Sequence, residues 1–175
     1  TIKNRNMLYK LGRNALVLEE MNASNAANRI NVWGVGGLVS TGGTATASRL
    51  FPLADAQGTT RFLTDSSGQI VQSYSYSPYG QVAAASSATT TPYLYTGENL
   101  DQETGLEYLR ARYYDPTTAR FISRDPIRGT LDNPITQNPY IYAGDNPMMY
   151  SDPSGEWFKE FLTGQQSFND FSQEV

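Results

Sequence analysis

The stretch Thr59-Thr-Arg-Phe-Leu-Thr64, Asp65-Ser-Ser-Gly68, Gln69-Ile-Val-Gln-Ser-Tyr-Ser-Tyr76 decides the fold. Two β-rich arms flank an Asp/Ser/Gly turn, the pattern of an antiparallel hairpin. In the second arm Ile70, Gln72, Tyr74 and Tyr76 fall on one face, and Val71, Ser73 and Ser75 on the other. Alternation with period two means strand rather than helix. Pro78 and Gly80 end the arm.

The same texture extends both ways. Upstream, Ala15–Met21 and Arg29–Trp33 are short β-rich runs around a polar link, 22–28. A helix across 14–28 is the alternative, given its Ala and Glu content. Gly34-Val-Gly-Gly37 and Thr41-Gly-Gly43 are turn signals. Downstream, Tyr93-Leu-Tyr95 reads as a short strand, Leu106–Tyr114 as a longer one, and Thr118–Ser123 as a third. Asp or Asn then precedes Pro repeatedly, at Asp115, Asp125, Asn133, Asn138, Asn146 and Asp152. That pairing forces extended backbone and lets the side chain close an Asx turn. Trp157, Phe158, Phe161 and Leu162 stand at helical spacing, which predicts a short amphipathic helix. The expected organisation is terminal hairpin repeats over 1–82, a low-complexity surface loop over 83–91, a denser core over 92–155 and an aromatic tail over 156–175.

Composition removes several classes of function. The 175 residues contain no Cys and no His, with 13 Lys plus Arg against 17 Asp plus Glu and a net charge of -4. There is no disulfide framework, no thiolate or imidazole metal site and no Ser-His-Asp triad. No cofactor and no metal are expected. Bulk charge argues against nucleic acid as a partner, and no apolar run approaches a membrane span. Catalysis, if any, must rest on carboxylates, hydroxyls, Arg or Lys. Of the 12 Tyr, 11 lie between Tyr74 and Tyr150, often two apart and so on one strand face. Cross-strand packing with the hydroxyl reaching a backbone partner explains them best; a sugar- or protein-binding aromatic surface is the alternative.

Gly105-Leu-Glu-Tyr-Leu-Arg-Ala-Arg-Tyr-Tyr-Asp-Pro116, followed by Arg120-Phe-Ile-Ser-Arg-Asp-Pro-Ile127, closely resembles the RHS-repeat-associated core domain, the C-terminal end of bacterial RHS/YD-repeat proteins. Tyr140-Ile-Tyr142, Asn146-Pro147 and Asp152-Pro-Ser-Gly155 come next in the family's order. Gly58–Asp65 and Tyr76-Ser-Pro-Tyr-Gly80 resemble final YD repeats. The resemblance implies a mainly β fold: a β-hairpin array, or solenoid end, with an RHS core plug and, here, a short C-terminal helix. It implies a structural scaffold, the terminal part of a shell that encapsulates or anchors a C-terminal cargo of a secreted bacterial toxin-type protein. Its partners would be the rest of the shell or that cargo, and its place extracellular or at the cell surface.

The resemblance also implies a site. Asp residues of two Asp-Pro-x-Gly motifs form an aspartic-protease-like pair in the family, which cuts shortly after the second motif. Here these are Asp125 and Asp152, with Arg124 as an electrostatic partner. The first motif reads Asp125-Pro-Ile-Arg128 with its glycine displaced to Gly129, and Glu156-Trp157 stands after the second where the family usually has Leu. Arg110, Arg112, Arg120 and Arg124 form a further set; Arg110 and Arg112 are expected on one strand face, pairing with Asp115, Glu107 or Asp125. The alternative function is a processed fragment that self-assembles through open strand edges or terminal segments into a homo-oligomeric filament. A weaker alternative is an autoprotease in its own right.

Overall fold

The structure, a computed structural model, describes residues 6–10, 16–22, 24–87, 91–127, 131, 134–156 and 159–160. Among them every sheet is an antiparallel meander in which strand order follows sequence order. The first has three strands, β1 (Asn6–Lys10), β2 (Leu16–Met21) and β3 (Ala27–Ile30). The second has six: β4 (Val32–Gly34), β5 (Gly37–Gly42), β6 (Arg49–Ala54), β7 (Thr60–Thr64), β8 (Ile70–Tyr76) and β9 (Val82–Ala85). The third has four: β10 (Asn99–Asp101), β11 (Leu106–Leu109), β12 (Arg112–Asp115) and β13 (Arg120–Phe121). β14 (Tyr150–Ser151) pairs with β15 (Lys159–Glu160). No helix among the described residues is long and apolar enough to cross a membrane.

One turn chemistry recurs along the second sheet. In Asp55-Ala-Gln-Gly58-Thr59, Asp65-Ser-Ser-Gly68-Gln69 and Ser77-Pro-Tyr-Gly80-Gln81 the first residue's N–H donates to the fifth residue's carbonyl, and the glycine N–H donates back to the first carbonyl. The side-chain oxygen of Asp55, Asp65 or Ser77 accepts the fifth residue's N–H as well, at 3.0, 3.1 and 3.2 Å. The glycines have φ of +85, +83 and +90, left-handed backbone in which a Cβ is strained. Each of these turns thus carries its own set of local hydrogen bonds.

The core is built from tyrosines. Leu63, Tyr74 and Leu94 form one buried cluster; Tyr95, Leu109, Tyr114, Phe121, Tyr142 and Ala143 form another, and Tyr76 packs against both. Tyr114 stacks on Tyr142 at 4.1 Å, with Phe121 edge-on to each. Buried phenols need a partner for the hydroxyl. Those of Tyr76, Tyr95 and Tyr114 donate to the carbonyls of Thr60, Pro78 and Tyr79 at 2.8, 2.9 and 2.7 Å. The packing role expected for these tyrosines is what they perform. Tyr140 and Tyr142 do not share a face, however: Tyr140 is exposed and Tyr142 buried.

Local expectations fail in several places. Residues 14–28 carry no described helix: β2 and β3 occupy Leu16–Met21 and Ala27–Ile30. Tyr93 makes only an isolated bridge to Asn99, and Tyr95–Gly97 is a 3-10 turn with Thr96 at φ +48. Leu106–Tyr114 is not one strand but a hairpin, reversed at Arg110-Ala111 with Leu109 opposite Arg112. Arg110 and Arg112 consequently do not share a face. The expected loop at 83–91 begins as part of β9, and its residues 88–90 lie outside the described set. The expected helix over 157–162 lies outside it too, save for Lys159–Glu160, which are strand.

Candidate functional site

The β11–β12 hairpin has two unlike faces. Tyr108 and Tyr113 point outward with rings 5.2 Å apart, while Glu107, Leu109, Arg112 and Tyr114 point inward and are buried. An arginine on the inward face must find acceptors, because a buried guanidinium without them is costly. Arg112, 3% exposed, finds four. Its Nε donates to the Gly155 carbonyl, its Nη1 to the Pro139 carbonyl at 3.1 Å, and its Nη2 to both Asp125 Oδ2 at 2.7 Å and Asp152 Oδ2 at 3.4 Å. Its guanidinium carbon also lies 3.5 Å from the centre of the Phe121 ring, a cation–π contact.

The two aspartates expected as a pair thus meet on one guanidinium nitrogen. Their oxygens can be no farther apart than the sum of those two distances. Arg124, expected as their electrostatic partner, is exposed; the cation between the carboxylates is Arg112. The sequence offers Arg112 as one of several partners for Asp125 and does not link it to Asp152. The signal lies in the parity of Arg112 with Tyr114 on a β-strand.

Each aspartate keeps its second oxygen for its own turn. Asp125 Oδ1 accepts the Ile127 N–H at 2.8 Å, a conventional Asx turn. Asp152 Oδ1 accepts the Ser154 hydroxyl at 3.1 Å and the N–H groups of Gly155 and Glu156 at 2.9 and 3.2 Å. These donors favour the carboxylate, yet burial outweighs them and raises the Asp152 pKa to about 6. Burial also lowers the Arg112 pKa, opposed by the two aspartates.

The turn Asp152–Gly155 is seated on the hairpin loop. Ala111 N–H donates to the Ser154 carbonyl at 3.2 Å, and Arg110 Nη1 donates to the Pro153 carbonyl. Gly155, at φ +72, leaves no room for a Cβ against the Leu109 carbonyl. Two further acids stand close by that no motif marks as site residues. Glu107 is 1% exposed, and Glu98 pairs with Arg110 at 2.9 Å.

Consecutive antiparallel hairpins and a buried carboxylate–guanidinium hub define a mainly β hairpin array. The teneurin YD-shell family model matches residues 44–148, and the chain belongs to that family. It is 35% identical over 144 residues to the tRNA3(Ser)-specific nuclease WapA of Bacillus spizizenii, covering 81% of this chain and 6% of that protein. It is 36% identical over 101 residues to the toxin protein Tse5 of Pseudomonas aeruginosa, covering 58% and 7%. Among solved structures, the TcdB2-TccC3 crystal structure superposes with a TM-score of 0.62 at 25% identity, covering 84% of this chain and 8% of that one. The chain therefore spans less than a tenth of the length of these relatives, and within that span it is a structural element of a YD shell.

Proposed function

We propose that this chain is the terminal, closing part of a YD shell in an exported toxin-type protein, and that it severs the backbone just beyond the Asp152–Gly155 turn to release the segment on the C-terminal side. The observation that carries the reading is the convergence of Asp125 and Asp152 on Arg112. One guanidinium nitrogen holds an oxygen of each carboxyl, which places the two acids on either side of a common charge. Burial raises the Asp152 pKa to about 6, so below that pH Asp152 would be the acid of the two. Its acid proton would hydrogen-bond the scissile carbonyl oxygen. Asp125, ion-paired to Arg112, would take a proton from water as the water oxygen adds to the carbonyl carbon. The C–N bond then breaks, and the leaving nitrogen collects that proton.

Intact-mass analysis of freshly made protein tests this. Expected is a fragment whose N-terminus lies near Trp157, absent from Asp125→Asn and from Asp152→Asn. The rate should fall with rising pH above about 6, as Asp152 loses its proton. A wild-type chain that stays whole after prolonged incubation at acid pH removes the protease reading and leaves the shell role standing.

A second reading has support of its own. β9 is a sheet edge whose Ala83, Ala84 and Ala85 are exposed and uncharged. Natural edges are usually guarded, so this one suits pairing with a second copy and growth into a filament. A sedimentation mass of one chain, unchanged by concentration, removes that reading.

A further inference from the structure

The tip of the β11–β12 hairpin meets the closing turn in register. Three consecutive residues of the tip donate to three consecutive carbonyls of the turn: Arg110 Nη1 to Pro153, Ala111 N–H to Ser154 at 3.2 Å, and Arg112 Nε to Gly155. A fourth contact is one of shape. A Cβ on Gly155 would collide with the Leu109 carbonyl oxygen and lie 3.0 Å from the Arg112 nitrogen. All four contacts address the backbone of the turn rather than its side chains.

The turn takes its shape from its own residues. Asp152 Oδ1 accepts the Ser154 hydroxyl and the Gly155 and Glu156 N–H groups, all within four positions of it. Its place in the fold comes from elsewhere. Ala111 lies between Leu109 and Arg112, which pair across the hairpin, and its N–H reaches over to the turn. Arg110 is itself held in position. Its Nη1 donates to Glu98 Oε1 at 2.9 Å, and the Glu98 side chain is 12% exposed, so this ion pair is well sheltered from water. Arg110 also has φ +59, a left-handed conformation that persists in a side chain of its size where surrounding contacts sustain it.

We propose that the β11–β12 tip is a docking site for an Asp-x-x-Gly turn, read through three carbonyls and the absent Cβ of the glycine, with Arg110 as its positioning residue. Arg110 acts through the Pro153 carbonyl, one residue from Asp152. Seating the turn carries Asp152 to Arg112 and completes the hub. Glu98 aims Arg110 at that carbonyl. The docking stands whether or not the backbone is later cut.

Amide hydrogen exchange reads the seating directly. The Ala111 and Gly155 amides report it from either side, and the Thr60 amide, bonded to the Leu94 carbonyl at 2.9 Å, reports the rest of the fold. The parent is Asp125→Asn protein, shown to be whole by intact mass. Adding Arg110→Met should lower protection at Ala111 and Gly155 about tenfold, the loss of one hydrogen bond from a charged donor, and leave Thr60 unchanged. Arg110→Lys keeps a cationic donor and should lose less. Gly155→Ala should lower Ala111 protection about a hundredfold. Glu156→Gln alters an exposed side chain and should change nothing. Unchanged protection in Arg110→Met overturns the proposal. So does an equal loss at Thr60, or a loss matched by Arg110→Lys or Glu156→Gln. Should Gly155→Ala fail to fold, the two Arg110 variants decide the matter between them.

Discussion

Asp65 and Asp152 occupy the same turn chemistry with opposite results. Each opens an Asp-x-x-Gly sequence, each accepts local N–H and hydroxyl donors on Oδ1, and each precedes a glycine with positive φ. Asp65 lies at the open end of the β7–β8 hairpin, where the Ser67 hydroxyl and nearby N–H groups lower its pKa. Asp152 is packed under the β11–β12 loop, where burial raises its pKa against similar donors. The same four-residue pattern makes a solvated hairpin turn in one region and a buried carboxyl with a raised pKa in the other. The difference comes from the surroundings: local hydrogen bonds close the first turn, whereas Arg110, Ala111 and Arg112, distant in sequence, hold the second.

Three measurements would break or sharpen that contrast. The largest expected effect is at the cations. Arg112→Met leaves two carboxyls without their buried counter-charge and should cost about 3–5 kcal/mol in urea unfolding. Arg61→Met, at the more exposed pair with Asp55, should cost about 1 kcal/mol or less. Equal losses would mean that the hub is no different from a surface ion pair.

The glycines come next. Gly68→Ala meets open space and suffers only left-handed strain, roughly 1–2 kcal/mol. Gly155→Ala adds a collision with the Leu109 backbone and should lose roughly 3 kcal/mol or more. Thermal melts of the two variants settle whether the closing turn is seated as tightly as the contacts indicate.

The smallest effect is in the pH dependence. A carboxyl whose folded pKa is raised favours the protonated fold. Its contribution is complete below the unfolded pKa and disappears as pH climbs through about 6, an amplitude of roughly 2–3 kcal/mol for Asp152. Asp65 has the reverse sign: its contribution is present above the unfolded pKa and lost as pH falls through the lower folded one. The difference between wild type and Asp152→Asn should therefore slope oppositely to that between wild type and Asp65→Asn.

The hairpin at 59–76 is legible in the sequence because both its period and its turn are local. The β11–β12 reversal is not. Arg110-Ala111 carries no Gly, Asn or Pro, and Arg110 takes a left-handed conformation that contacts with Glu98 and Pro153 support from outside. Tyr93–Tyr95 misleads for the same reason. Its period-two spacing suits a strand, but Thr59 and Thr60 bind its backbone into another shape, through Thr60 N–H to the Leu94 carbonyl and Thr96 N–H to the Thr59 hydroxyl. Asp125 and Asp152 are visible through their Asp-Pro motifs, whereas no motif marks Glu98, and Glu107 stands out only as one of several acids near the arginines. Only the alternation Glu107, Leu109 hints that Glu107 faces inward.

The seating of Gly155 under Leu109 also bears on when the hub can exist. Hairpins such as β7–β8 close over a few residues, so they can form as soon as they are made. Arg112 has no such early partner in Asp152, which is synthesised much later and must then cross back to it. Until Ser154 and Gly155 dock on the hairpin, the guanidinium lacks one of its two anions and the Asp125–Asp152 pair does not exist. Completion of this turn thus sets an order of assembly: the Arg112 hub acquires its second anion only after the hairpins that precede it in the chain have been made.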